Sequence, residues 1–125
     1  MQKGYIALIT VLIIMSVVMT TAITVTLLSI GEAQSGFALF KGEDTLTFVE
    51  GCTEDYILKI RSQGAGFAAG NITRPEGTCT IVVNSGNPNW DITVSTNATT
   101  YKRSIRAVFN RPSSGSITIT SWKEI

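Results

Sequence analysis

The sequence predicts an α+β protein: a long N-terminal helix, membrane-spanning in its first half, packed on a small antiparallel sheet of about four strands. Three observations lead there. Residues 5–30 contain no charged residue, no Gly and no Pro. Residues 31–63 keep apolar side chains at helical spacing, with acidic residues between them. Beyond them, short β-branched runs alternate with turn residues. A chain of 125 residues has room for one small domain, and only the part after the apolar run can form a core in water.

The apolar run comes first. About 20 residues at 1.5 Å rise cross a ~30 Å hydrocarbon core, and residues 5–30 exceed that length. The hydroxyls of Thr10, Ser16, Thr20, Thr21, Thr24, Thr26 and Ser29 are expected to bond the helix's own carbonyls, which makes them tolerable in lipid. Their small size permits close approach of a second helix. A secretory signal has a shorter apolar core followed by a small-residue cleavage site; this run is too long, and no such site follows it cleanly. The rest of the chain is too small to surround the run as a buried core helix. The plainest reading is a single-span anchor.

After Gly31, the residues Phe37, Phe40, Val49, Cys52, Tyr56 and Ile60 fall near multiples of a helical turn. Asp55 and Lys59 stand in the favourable i,i+4 order. Lys59 and Arg61 suit a helix C-terminus, and Gly64 is the expected stop. Gly31, Gly36, Gly42 and Gly51 allow bends. Residues 63–77, rich in Gly and Ala, read as a loop. Strands are expected at 79–84, 90–96, 101–110 and 116–122, separated by Asn-, Gly-, Pro- and Ser-rich turns. Connections this short imply an antiparallel meander. Cys79, Ile81, Val83, Ile92, Val94, Ile105, Ala107 and Phe109 are expected to form the face that packs on the helix.

A net charge of +1 supplies no bulk attraction to nucleic acid. The charges are nonetheless polarised along the chain. Glu32, Glu43, Asp44, Glu50, Glu54 and Asp55 make one region acidic, and Arg74, Lys102, Arg103, Arg106, Arg111 and Lys123 make another basic. Such regions either attract within or between subunits or simply form two solvated faces. The chain has no His and two Cys, which removes the commonest general base and metal ligand, and two thiols alone do not complete a zinc site. With no paired-carboxylate setting and no Gly-rich phosphate loop, neither an enzyme nor a cofactor is expected.

Directly before the apolar run stand Met1-Gln2-Lys3-Gly4, and the run opens on Tyr5: a short basic leader, a Gly and an aromatic residue. This arrangement resembles the prepilin (class III) signal of type IV pilins and pseudopilins. The resemblance implies that a prepilin peptidase cuts between Gly4 and Tyr5 on the cytoplasmic face and methylates the new N-terminus. Residues 1–4 would then be a leader, 5–30 a transmembrane and filament-core helix, 31–63 its amphipathic second half and 64–125 a globular β domain. The family usually carries a Glu where this chain has Ile9, thought to pair with the N-terminal amine of a neighbouring subunit, and a Pro where this chain has Thr26. Ile9 places the chain nearer the Glu-lacking minor pilins than a major subunit. Its two Cys and its closing Ser121-Trp122-Lys123-Glu124 look like short pilin-like proteins of small-genome bacteria. The implied function is that of a structural subunit of a type IV pilus or related filament. The implied partners are other pilin subunits, the prepilin peptidase, the assembly machinery and the membrane. The alternative is a single-span, membrane-anchored surface module that binds or adheres through its β domain.

Charge predicts the orientation independently. Lys3 precedes the run and Glu32 is the first charge after it, so the positive-inside rule sets the N-terminus in and the C-terminus out. The subunit is expected in the cytoplasmic membrane before assembly and in an extracellular pilus afterwards. In an exported domain with a small core, Cys52 and Cys79 are expected to form a disulfide clamping helix to sheet, with two buried free thiols as the alternative. Lys102, Arg103 and Arg106, with Tyr101 and Trp90, offer a weak DNA- or surface-binding patch; the plainer reading is edge protection of a strand. Asn71-Ile72-Thr73 and Asn97-Ala98-Thr99 match the N-glycosylation pattern, which is usually silent in a bacterial prepilin-type protein.

Overall fold

The computed structural model describes residues 2–64, 69–98 and 100–125, with side chains from Lys3 onward. Met1 of the expected leader, residues 65–68 of the expected loop and Thr99 of the second glycosylation match lie outside the described residues. The elements run α1 (Gln2–Gln63), β1 (Gly70–Arg74), β2 (Gly77–Ser85), β3 (Asn89–Thr96), β4 (Ser104–Asn110) and β5 (Thr118–Glu124). Contacts divide the chain into two compact units, Met1–Leu39 and Phe40–Ile125.

In the first unit, α1 is long and apolar enough to cross a membrane, and none of its most apolar window is covered by protein. Of the hydroxyls expected to turn back onto the helix, those of Thr10, Ser16, Thr20, Thr21, Thr24 and Thr26 do so. Thr10 donates to the Ile6 carbonyl at 2.8 Å, Ser16 to Ile13 at 2.8 Å, Thr21 to Val18 at 2.9 Å, and Thr24 to Thr20 and Thr26 to Ala22 at 2.8 Å each. Each side-chain polar group so satisfied reduces the cost of an apolar surrounding.

The second unit is an α+β packing. Val49, Cys52, Tyr56 and Ile60 of α1, spaced three and four apart, are fully buried and so form one face of the helix. They meet Ile72, Cys79, Ile81, Trp90, Ile92, Val94, Ile105, Ala107 and Phe109 from the sheet. Phe37 and Phe40 depart from the expected stripe: both are exposed, and the buried stripe begins only at Gly42. At Gly64 the helix stops as expected, with φ +70°. A left-handed residue there closes a helix end, and Gly adopts it without a Cβ clash.

The sheet has five strands in the order β1-β2-β3-β4-β5, every neighbour antiparallel. The meander is as expected, and where about four strands were expected there are five. The additional strand, β1, lies in residues 63–77, which read as a loop. It pairs with β2 through a hairpin turned at Pro75 and Glu76, and Ile72 sits opposite Cys79. With a single buried apolar residue, β1 is too short to show strand alternation by itself, and its pairing with β2 makes it a strand. The expected start of the third run at 101 moves to Ser104, because Tyr101 has φ +56° and turns rather than extends. Of the residues expected on the inner face, all are buried except Val83, which is partly buried beside a register shift between Val83 and Ser85.

Candidate functional site

Lys3, Gly4, Tyr5 and Ile9 all lie within α1 and are exposed. A Cβ on Gly4 would meet nothing within 4 Å, so space does not require Gly there. The helix presents these residues on a free surface, followed by large apolar side chains from Leu8 to Ile30 that are also exposed. An apolar surface of this extent needs lipid or other helices around it.

Cys52 and Cys79 form a disulfide with Cα atoms 6.5 Å apart. Both are fully buried. The bridge joins the inner stripe of α1 to β2, as the sequence suggested.

The three basic residues near the third strand run have different surroundings. Arg106 donates to Asp91 through both Nε, at 3.0 Å, and Nη2, at 2.5 Å. This fork holds the Asp91 carboxyl below its ordinary range, chiefly through the hydrogen bond itself, and raises the Arg106 guanidinium. Arg103 pairs with Glu124 at 2.5 Å, and both side chains are substantially exposed, so the pair adds little to stability. Lys102 is exposed. Trp90 is only 4% exposed and its ring stacks on Phe109 with centroids 6.3 Å apart. It is a core residue and offers no face to a base.

Sequence reasoning missed how two glycines of α1, and the one just past its end, are used. A Cβ on Gly42 would lie 3.1 Å from Arg103 Nη2, one on Gly51 3.0 Å from Arg74 Nη1, and one on Gly64 3.5 Å from Arg111 Nη2. Three guanidiniums from outside the helix thus rest against positions that lack a side chain. Gly42 and Gly51, which read as points where the helix bends, instead make room for arginines. Only contacts between distant segments reveal this, so no local signal in the sequence could have found it.

A groove of about 600 Å³ lies beside α1, lined in part by Asp44, Phe48, Arg74, Glu76, Thr96 and Asn97. Its walls come from three separate segments, so no local pattern hints at it. Among the described residues no group of His, Cys, Asp or Glu is placed to hold a metal ion. The chain matches no protein-family description, no curated protein and no solved structure.

Proposed function

We propose that the chain is a structural subunit of a type IV pilus or related filament, cut by a prepilin peptidase after Gly4 and assembled through its N-terminal helix. One observation carries the reading: the Lys3-Gly4-Tyr5 motif opens an apolar helix whose surface is uncovered, in the same chain as a disulfide-clamped helix-on-sheet unit. In this role the mature subunit waits in the cytoplasmic membrane with its N-terminus in and its C-terminus out. It is then drawn into a filament in which residues 5–30 bundle with those of its neighbours, outside the cell. The sheet does no chemistry on a substrate. Ile9, in place of the family's usual Glu, favours a minor subunit.

The test is intact-mass and N-terminal peptide spectrometry on protein from its native cells. A chain beginning at Tyr5 with one added methyl is expected. A chain still carrying Lys3 and Gly4 overturns the reading and favours the membrane-anchored surface-binding module.

A further inference from the structure

The groove beside α1 lies in the helix-on-sheet unit, and its lining is chemically specific. Arg74 is half-buried, its tip laid on the helix where Gly51 makes room. Arg103 and Arg106 have carboxylate partners, but Arg74 has no ion pair among the described residues. Asp44 and Glu76, both exposed, share the groove with it and likewise have none. Groups of opposite sign therefore border one concavity without neutralising each other.

The remaining walls are polar and aromatic. Thr96 is 3% exposed, and its Oγ1 accepts the Arg103 N–H at 3.4 Å. Asn97 Oδ1 accepts from the Thr80 hydroxyl at 2.5 Å, which leaves the Asn97 amide N–H groups as donors. Phe48 is half-buried, with the tip of its ring 3.4 Å from the position of a Gly77 Cβ.

A guanidinium only donates hydrogen bonds and a carboxylate only accepts them, whereas a hydroxyl does both. A ligand dense in hydroxyls can therefore satisfy Arg74, Asp44 and Glu76 together. An anion would meet two carboxylates against one guanidinium, and a cation would meet Arg74. The C–H face of a sugar ring also matches an aromatic wall, and the groove volume is within the range of small-molecule sites. We infer that this groove is a binding site for a neutral pyranose sugar. Arg74 donates to ring hydroxyls, Asp44 and Glu76 accept from them, and the apolar sugar face lies on Phe48. The inference stands on the groove alone and does not depend on filament assembly.

The test uses the full chain in micelles of a detergent without a sugar headgroup. Methyl pyranosides of glucose, galactose, mannose and N-acetylglucosamine are titrated in and followed by saturation-transfer difference NMR. Transfer to the ring protons of at least one glycoside is expected, with a Kd in the millimolar range. Arg74→Ala and Glu76→Gln are each expected to weaken it about tenfold or more, and Lys123→Ala, remote from the groove lining, to leave it unchanged. Glu76 is an exposed turn residue, so its substitution tests the site even where Arg74→Ala disturbs folding. The inference is overturned by absence of transfer from the unmodified chain, by equal transfer in the Arg74 and Glu76 variants, or by tighter binding of glucuronate or spermidine than of any neutral glycoside.

Discussion

Gly64 shows how one residue can be both legible and decisive. Its φ of +70° lies in the left-handed region, where a Cβ costs roughly 1–2 kcal/mol. Gly64→Ala is therefore expected to lower unfolding stability by about that amount, read from the denaturant midpoint of the full chain. The stop itself was visible in sequence because Lys59 and Arg61 precede a Gly. Arg106 was visible only as a charge. Its partner was not, because Asp91 is brought beside it diagonally across the β3–β4 ladder: Arg106 pairs in register with Thr93, and Asp91 with Val108. The fork makes a pH prediction. Asp91 is held below its ordinary range by Arg106, so the folded state favours the ionised form. Its contribution is full above the unfolded carboxylate value of about 3.9 and is lost as pH falls through the lower folded value. Asp91→Asn should flatten the loss of stability below about pH 4 in an acid titration followed by circular dichroism. An unchanged acid limb would show that the fork does not stabilise the fold.

At the scale of elements, the second half of α1 and the sheet hold each other. The helix stripe from Val49 to Ile60 and the inner face of β2, β3 and β4 bury one another, and Cys52–Cys79 ties them covalently. Replacing both Cys by Ser is expected to cost about 3–4 kcal/mol, because the bridge restricts the unfolded chain over the intervening segment. The check is chemical denaturation of the full chain under oxidising conditions; a loss near zero would mean that packing alone positions the helix. The central strands were legible because apolar residues recur there at every second position, Trp90, Ile92 and Val94 in β3 and Ile105, Ala107 and Phe109 in β4. β1 was not, since Gly70–Arg74 carries one buried residue, Ile72, and a single apolar position has no period. Phe37 and Phe40 fall outside the buried stripe for a different reason. At 3.6 residues per turn, the nine positions from Phe40 to Val49 are two and a half turns, so Phe40 points away from the stripe.

For the whole molecule, the division between a segment suited to lipid and one suited to water was written into composition. Residues 5–30 lack any charge, and partition between oil and water is set first by that local content. The maturation proposed at Gly4 belongs to this scale, because removing the leader while retaining the apolar helix would convert a membrane anchor into an assembly element. The sequence by itself thus determined the apolar helix, the antiparallel meander, the helix stop and the two Cys available for a bridge. Periodicity, turn chemistry and hydrophobicity all act over a few residues and can be read along the chain. Only the tertiary structure decided that Arg106 forks Asp91, that Gly42 and Gly51 receive arginines, that β1 is a strand, and that Asp44, Arg74 and Glu76 border one groove. Those outcomes depend on strand register and on the approach of segments far apart in sequence, and no short stretch of residues encodes either.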